Sequence, residues 1–308
     1  MTSPFGRLTF VVNPRAGRGR VGRKLPAIEE ALQERDLDYE LRFTEGPGDA
    51  SRLARRAVES GSGFVVAVGG DGTVHEVVNG LLHDDVALHP DTVLGVVSAG
   101  SGCDFIRSFG LPAEALEAVD RLAGTQTRPL DVGKISFLDR EGRPAVRYFA
   151  NIAEAGLGGS TARRAAGLPA WLGPARYFIA FWLVLPSYRP GSACVDLDGE
   201  PVFEGRAVNV VLANCRFFGG GMHISPGSDP ADGVLDVQVY TGPKSDSFTT
   251  LPKVYKGRHL PHRNVVELKG TGVHLHGEQT LEIEADGEVL GTTPATVEVL
   301  RRPLTLKV

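Results

Sequence analysis

The feature that most constrains the fold is an apolar run that ends in a glycine-rich turn and continues as a helix. Residues 65–68 read Val-Val-Ala-Val, the turn reads Gly69-Gly70-Asp71-Gly72-Thr73, and helical spacing follows to residue 82. A short, wholly apolar run is typical of a central parallel strand. Glycines let backbone N–H groups surround an anion, and the positive end of the helix points into the same space. The segment therefore predicts a phosphate-binding strand–turn–helix unit.

Asp71 is unusual in such a turn because its carboxylate and a phosphate repel each other. A divalent cation between them removes the repulsion, since Mg²⁺ is commonly held by one or two carboxylates together with phosphates. The alternative is a plain turn in which Asp71 caps the helix. A cap needs one glycine at most, so the glycine run favours a phosphate site with Mg²⁺.

Strand-like and helix-like stretches alternate over the first 125 or so residues. Apolar or alternating runs lie at 8–12, 39–44, 64–68 and 93–97, and helical spacing lies at 21–35, 49–60 and 73–82. This rhythm predicts a parallel sheet covered by helices. After residue 124, short alternating segments separated by Asp-Gly turn signals predict an antiparallel sandwich, interrupted by a helical region at 157–185. The expected fold is α/β plus all-β, with an N-terminal doubly wound parallel-sheet domain and a C-terminal antiparallel β-sandwich domain.

Two further glycine clusters follow strands. In the first, Gly17, Gly19 and Gly22 have the G-x-G-x-x-G spacing, but an Asn-Pro-Arg segment separates them from the strand, so the motif alone is weak. The second, at residues 98–105, follows the strand at 93–97. In a doubly wound sheet, ligands bind beyond the carboxyl ends of strands. Three clusters at such ends together predict a composite nucleotide site.

These blocks resemble those of the diacylglycerol kinase-type lipid kinases, the group that also includes sphingosine kinases. Residues 13–17 are similar to the Asn-Pro-x-(Ala/Ser)-Gly opening of that family, and residues 69–76 with 79–80 match its Gly-Gly-Asp-Gly-Thr block. Residues 100–105 resemble its Gly-Thr-Gly-Asn-Asp-Phe block, with Ser101 for Thr and Cys103 for Asn. The resemblance continues through 131–133, 151–159 and 219–237, and so covers nearly the whole chain.

The resemblance implies an NAD kinase/phosphofructokinase-like ATP-binding domain at residues 1–127, to which residues 292–308 return. Residues 128–291 would form a β-sandwich domain for the lipid substrate, with the active site between the two domains. ATP and Mg²⁺ are the implied cofactors. The nucleotide-binding residues are then expected to be Asn13, Pro14, Arg15, Ala16, Gly17, Thr44, Gly69, Gly70, Asp71, Gly72, Thr73, Glu76, Ser98 and Ser101.

For the general base, two identical tripeptides compete: Asp198-Gly199-Glu200 and Asp286-Gly287-Glu288. Both suit type I′ hairpin turns, and composition does not separate them. The resemblance assigns the base to the C-terminal copy, so Glu288, with Asp286 beside it, joins Asp71 among the candidate catalytic residues.

A further cation site is expected in one loop, and a second possible site is disfavoured. The resemblance implies a structural site in the loop 228–234, where Asp229, Asp232 and the Val234 carbonyl can hold Mg²⁺ or Ca²⁺; a charged turn without an ion is the alternative. His274 and His276 share one face of a strand, but no third ligand is near in sequence, so a metal is not expected there.

Composition excludes several partners. A net charge of −4 gives no global attraction to nucleic acid or to anionic lipid, so any such contact requires a local patch. Three scattered cysteines and a polar N-terminus without a signal-peptide pattern favour the cytoplasm.

The aromatic segment 170–188 is shorter than the ~20 apolar residues that a membrane-spanning helix requires. It is expected to be a buried or groove-lining helix, with shallow membrane contact as the alternative. Transient peripheral membrane association is expected; a homodimer is possible, since the sequence leaves the oligomeric state open.

The expected activity is transfer of the γ-phosphoryl group of ATP to a lipid hydroxyl, with diacylglycerol the leading acceptor and phosphatidic acid the product. Alternatives are a sphingoid base, a phosphatidylglycerol-like lipid or a soluble acceptor such as NAD. A non-catalytic nucleotide sensor also stays open. An oxidoreductase is disfavoured by the Asn-Pro interruption before the first glycine cluster.

Overall fold

The computed structural model describes residues 3–98, 103–173 and 175–308, apart from the side chain of Ala170. The chain divides into two units: Met1–Val132 with Arg301–Val308, and Gly133–Leu300.

The first unit alternates strands and helices, as the spacing of its apolar residues predicts. Its strands are β1 (Leu8–Val12), β2 (Tyr39–Phe43), β3 (Phe64–Gly69), β4 (Leu82–His83), β5 (Val86–Ala87) and β6 (Val93–Ser98). Its helices are α1 (Ala16–Glu34), α2 (Asp49–Glu59), α3 (Asp71–Leu81), α4 (Asp104–Phe109) and α5 (Ala115–Leu122).

The strands β2, β1, β3 and β6 form a parallel sheet in that order. Every residue of β1, β3 and β6 is buried, which is why these strands are apolar on both faces. The register places Val12 beside both Phe43 and Val68, and Gly69 beside Ser98. The carboxyl ends of the four strands therefore lie at one edge of the sheet, and the loops that follow them start side by side.

The second unit is built mainly of antiparallel strands. These are β7 (Thr127–Leu138), which begins in the first unit, β8 (Pro144–Phe149), β9 (Ile152–Gly156), β10 (Gly191–Leu197), β11 (Glu200–Ala207), β12 (Asn209–Ala213), β13 (Phe217–Phe218), β14 (Met222–His223), β15 (Leu235–Tyr240), β16 (Val265–Gly270), β17 (Gly272–His276), β18 (Glu282–Ala285) and β19 (Glu288–Lys307). The helices are α6 (Leu157–Ala166), α7 (Ala175–Val184) and α8 (Asp246–Val254).

In this unit the strands β16, β15, β12, β9, β18 and the start of β19 are hydrogen-bonded in that order, and β10 pairs with β11 and β17. A core of alternate strand residues lies beneath them, including Phe149, Val195, Leu212, Val237 and Ile283. The predicted fold class, a parallel α/β part followed by an antiparallel β part, is confirmed.

Several local expectations need correction. The alternating segments at 295–300 and 304–308 are expected to be two separate strands, but Glu288–Lys307 is one long strand, β19, whose end pairs in parallel with β6 in the first unit. The strand β11 and the helix α8 were not predicted, because neither has a clear apolar period. Of the alternatives for the aromatic segment, a fully buried helix is wrong, since Ala180 is the only fully buried residue among those described in α7. Most of the others are half-buried, so the groove-lining helix stays a prediction.

Candidate active site

The glycine turn between β3 and α3 has two kinds of glycine. A Cβ atom on Gly69 would collide with the side chain of Thr73, so close packing requires glycine there. At Gly70 and Gly72 a Cβ atom would meet no other atom within 4 Å. The backbone at these two positions is thus open at the N-terminus of α3, which is the positive end of the helix, while the N–H groups of Thr73 and Val74 donate to the Gly70 carbonyl at 2.9 and 3.1 Å.

Asn13 joins the end of β1 to this turn. Its N–H donates to the Val68 carbonyl at 3.0 Å, and its Nδ2 donates to Thr73 Oγ1 at 3.4 Å. Its Oδ1 accepts the N–H of Arg15 at 3.1 Å. The Asn-Pro-Arg segment, which weakened the dinucleotide interpretation of the sequence, is therefore what connects the first loop to the glycine turn.

The loop after β2 lies against the same group. Arg15 Nη1 donates to the Glu45 carbonyl at 3.1 Å, and the Thr44 N–H donates to the Val12 carbonyl at 2.9 Å. Beyond Arg15, α1 starts irregularly: Gly17 and Arg18 have φ values of 59° and 60°, in the left-handed region. The side chain of Arg18 is left exposed at this loop.

Glu76 holds the start of α2. Its Oε1 accepts the N–H of Gly48 at 3.0 Å, and its Oε2 accepts that of Ala50 at 2.9 Å. A carboxylate is favourable at a helix N-terminus, where it satisfies orphan donors. The two oxygens thereby fix the loop before α2, and direct contact of Glu76 with a nucleotide stays a prediction.

Asp71 holds the start of α4 in the same manner. Its Oδ2 accepts the N–H of Asp104 at 3.0 Å, and its Oδ1 accepts the N–H of Phe105 at 2.9 Å. Cys103 Sγ donates to Oδ1 at 3.3 Å. Burial, and then the negative charge of Asp71, raise the pKa of the Cys103 thiol well above its usual value, so it stays a donor. Where the family pattern has an asparagine amide, this chain keeps a donor in the form of a thiol.

The structure thus connects the loops after β1, β2 and β3 and the start of α4 by hydrogen bonds to Asn13, Arg15, Asp71 and Glu76. Ser98, another predicted residue, is buried at the end of β6. Ser101 falls in residues 99–102, outside the described part of the chain. The metal role predicted for Asp71 stays a prediction.

In the second unit, Asp286 and Gly287 form the hairpin turn between β18 and β19. Their φ values, 50° and 86°, are those of a type I′ turn, and Asp198 and Gly199, at 52° and 89°, form the same turn between β10 and β11. Asp286 accepts the N–H groups of residues 150, 151 and 152 at 2.9–3.1 Å. With three backbone donors on its carboxylate, Asp286 holds the turn against the segment 150–152.

Glu288, two residues further on, is half exposed, and its Oε2 lies 3.8 Å from Arg147 Nε. The two candidate bases therefore differ in their surroundings, because the Glu288 carboxylate is half exposed and ion-paired, whereas the Asp286 carboxylate accepts three backbone N–H groups. The assignment of either residue to catalysis stays a prediction.

A buried carboxyl pair adjoins this turn. Glu154 on β9 lies beside Glu284 on β18, and both are almost fully buried. Burial raises the pKa of Glu154 to about 7 and that of Glu284 well above its usual value, the latter also because of the Glu154 charge. Asn209 Nδ2 donates to Glu154 Oε1 at 2.7 Å, and Gly287 N–H donates to Glu284 Oε2 at 2.7 Å. Sequence reasoning missed the pair because the two residues are distant in the chain; the only signal was a glutamate within each apolar strand.

In the predicted cation loop, Asp229 and Asp232 are exposed and lie between buried or half-buried residues. Asp229 Oδ1 accepts the N–H of Ala231 at 3.2 Å, and Asp232 Oδ1 accepts that of Val234 at 3.1 Å. These bonds use one oxygen of each carboxylate, so the second oxygens and the loop carbonyls fit a hard cation such as Mg²⁺ or Ca²⁺. Binding of an ion at Asp229, Asp232 and the Val234 carbonyl stays a prediction.

Comparisons with known proteins agree with this architecture. Residues 7–135 match the family described as "Diacylglycerol kinase catalytic domain", and residues 151–308 match the "YegS C-terminal NAD kinase beta sandwich-like domain". The diacylglycerol kinase of Bacillus subtilis (strain 168) is 28% identical over 291 residues, which cover 94% of this chain and 91% of that protein. That of Mycobacterium tuberculosis (strain ATCC 25618 / H37Rv) is 29% identical over 311 residues, covering 96% of each.

Two crystal structures from Bacillus anthracis share the fold. They have TM-scores of 0.77 and 0.74 at 25% and 24% identity, over 99% of this chain and 98% and 97% of theirs; the second is described as a diacylglycerol kinase. An α/β catalytic domain followed by an NAD kinase-like β-sandwich defines the class of the protein as a lipid kinase. The chain belongs to the diacylglycerol kinase-type lipid kinase family. Membership of a kinase family implies ATP as the phosphoryl donor and a divalent cation.

Proposed function

We propose that the chain transfers the γ-phosphoryl group of ATP to the hydroxyl of a membrane lipid, with diacylglycerol as the acceptor and phosphatidic acid as the product. The observation that carries the proposal is the open glycine turn at the start of α3, to which hydrogen bonds tie the neighbouring loops. The names of the relatives support the lipid and, among lipids, diacylglycerol.

The first unit supplies the phosphate-binding groups in this proposal. Open backbone at Gly70 and Gly72 and the positive end of α3 suit the phosphate oxygens. The exposed side chains of Arg18 and Arg20 can neutralise phosphate charge from the start of α1. The carboxylate of Asp71 offers oxygen ligands of the kind that Mg²⁺ requires. Bound Mg²⁺ supplies neutralisation of the charge on the phosphates.

The second unit supplies the proton acceptor. In the reaction, the lipid hydroxyl oxygen bonds to the γ-phosphorus, the bond from that phosphorus to the β-phosphate bridging oxygen breaks, and ADP leaves. The hydroxyl proton passes to the Glu288 carboxylate. The ion pair with Arg147 orients that carboxylate, and Asp286 fixes the turn on which it is carried.

The acceptor requires access to a lipid surface. Among the described residues, no helix is long and apolar enough to cross a membrane. An aromatic patch, defined here as Phe178 and Trp182 of α7 with Phe248 of α8, supports peripheral contact. Ring centroids lie 6.2 Å apart for Phe178 and Trp182 and 5.0 Å apart for Trp182 and Phe248, and Phe178 and Phe248 are 50% and 63% exposed. Exposed aromatic groups of this kind suit the headgroup region of a bilayer.

Basic residues adjoin the C-terminal end of α7. Arg164 and Arg189 line a groove of about 570 Å³ with Val184 and Tyr188. Anionic headgroups would complement these guanidinium groups, each contributing about 1 kcal/mol near an anionic surface. We therefore propose that α7, α8 and this groove contact an anionic bilayer.

We also propose that the loop 228–234 binds a structural cation, either Mg²⁺ or Ca²⁺.

The test is a transfer assay with γ-labelled ATP, Mg²⁺ and phospholipid vesicles that contain diacylglycerol, a sphingoid base, or phosphatidylglycerol alone, with NAD as a soluble acceptor. Label is expected in phosphatidic acid. Label only in NAD would refute the lipid assignment, and ATP binding without transfer to any acceptor would favour a nucleotide sensor. In the same assay, Glu288→Gln tests the proton acceptor. Its matched control is Glu200→Gln, because Glu200 lies in the identical tripeptide at the other hairpin.

A further inference from the structure

Two histidines and an aspartate from different strands of the second unit converge on one point. His274 and His276 of β17 lie on the same side of the strand, with ring centroids 4.7 Å apart. Asp196 Oδ2 of β10 lies 3.3 Å from His274 Nδ1 and 3.1 Å from His276 Nε2. One ligand atom from each of the three residues falls within 4.8 Å of the others. No third ligand is near these histidines in sequence, but the fold brings one to them, since Asp196 lies 78 positions away in the chain from His274.

The strand register explains the convergence and adds a fourth group. In the antiparallel pair β10–β17, Asp196 is directly opposite His274, and Cys194 is directly opposite His276. Residues opposite each other, and residues two apart on one strand, point to the same face of a sheet. Cys194, Asp196, His274 and His276 therefore occupy the four corners of one small patch of the ribbon.

The charge around this patch favours a cation. Glu204 of β11 is directly opposite Cys194 in the β10–β11 pair, so its carboxylate and that of Asp196 place two acidic groups at this patch. Imidazole, carboxylate and thiolate are the donors that Zn²⁺ takes in four-coordinate sites. Mg²⁺ and Ca²⁺ require oxygen ligands and do not fit two imidazoles.

We infer that His274, His276 and Asp196 form a binding site for a divalent transition-metal ion of the Zn²⁺ type, with Cys194 or water as the fourth ligand. The site joins β10 to β17 at the surface of the second unit and is separate from the residues assigned to phosphoryl transfer. A bound ion stabilises the folded chain, because it binds the folded arrangement and not the unfolded one.

The experiment is titration of the chelator-treated full-length chain with Zn²⁺, without nucleotide or Mg²⁺, by isothermal calorimetry. One equivalent is expected to bind and to raise the thermal midpoint of unfolding. His276→Gln and Asp196→Asn are each expected to weaken binding by at least about 100-fold, since loss of even an outer partner of a metal ligand costs about 10–100-fold. Equal midpoints of the metal-free variants and the metal-free parent check that the variants are folded.

His83→Gln is the matched control. His83 is exposed, and its Nε2 lies 3.6 Å from Asp84 Oδ2, so it forms a histidine–aspartate pair without a second histidine. The control is expected to bind Zn²⁺ like the parent. Substitution of Co²⁺ for Zn²⁺ identifies the fourth ligand by spectroscopy. If the parent shows a thiolate-to-cobalt charge-transfer band and Cys194→Ser abolishes it, Cys194 is the fourth ligand. If the parent shows no such band, the fourth ligand is water. No calorimetric binding, or equal weakening by His83→Gln and His276→Gln, would overturn the inference.

Discussion

Asp71 Oδ1 accepts the backbone N–H of Phe105 at 2.9 Å, which ties the glycine turn after β3 to the first turn of α4. The second oxygen of the same carboxylate accepts the N–H of Asp104. Asp71 is thus a structural link between two segments of the candidate phosphate site, in addition to being its predicted metal ligand.

Asp71→Asn should therefore impair both stability and activity. An amide has one acceptor oxygen, and its NH₂ group would face a backbone donor, so the free energy of unfolding should fall by about 1–3 kcal/mol. Transfer from ATP should fall by more than the loss of folded protein explains. Urea denaturation and steady-state kinetics measure the two effects. Cys103→Asn is the control, since it keeps a donor to Asp71; a loss of activity as large as that of Asp71→Asn would contradict this account.

The two kinds of glycine in the turn should respond differently to alanine. Gly69→Ala places a methyl group against Thr73 and should cost about 1–3 kcal/mol of unfolding free energy. Gly72→Ala meets open space within α3 and should be neutral or stabilising by up to about 1 kcal/mol. If phosphate occupies that space, Gly72→Ala should nevertheless raise the KM for ATP. An unchanged KM in a stable Gly72→Ala variant would argue against phosphate binding at this turn.

The roles of Glu288 and Asp286 can be separated by isosteric substitutions. Glu288→Gln should lower kcat by about 10²–10⁴-fold, the usual contribution of a general base, with unchanged ATP affinity and stability. Asp286→Asn should mainly lower the free energy of unfolding, by about 1–3 kcal/mol, because three backbone N–H groups lose their carboxylate. Full activity in Glu288→Gln would exclude it as the base.

The buried Glu154–Glu284 pair should make stability depend on pH. Burial raises the pKa of Glu154 from 4.5 to about 7, so the folded chain binds this proton more tightly than the unfolded chain does. The stabilising effect of the bound proton is complete below the unfolded pKa and is lost as pH rises through about 7. Denaturant titrations from pH 4.5 to pH 8 should show this fall, and Glu284→Gln should reduce it. Glu141→Gln, at an exposed glutamate, should leave it unchanged.

The proposed membrane contact can be measured by cosedimentation with vesicles. Phe178→Ser and Phe248→Ser should each weaken binding, because both side chains are at least half exposed and lose apolar area that would enter the bilayer. Arg164→Gln and Arg189→Gln should weaken binding to anionic but not to zwitterionic vesicles, by about fivefold each at roughly 1 kcal/mol per charge. Val86→Ser, at an exposed apolar residue of the first unit, is the control and should change nothing.

Much of the fold was predictable because local periodicity carried it. The apolar runs at 8–12, 64–68 and 93–97 are central strands. Such strands are recognisable in the sequence because a strand buried on both faces is apolar at nearly every position. The Asp-Gly pairs at 198–199 and 286–287 predicted hairpin turns, which the positive φ values of Asp198 and Asp286 bear out. β11 and α8 were missed because exposed residues break their periods.

The sequence by itself determined the family and the residue types at the candidate site, because the glycine turn and the blocks at 13–17 and 69–76 are local in the chain. Only the tertiary structure decided which groups hold these segments together. Asp71 with Phe105, Glu154 with Glu284, and Asp196 with His276 are contacts between distant parts of the chain. Strand register and loop closure set such contacts, and no local pattern of residues encodes them.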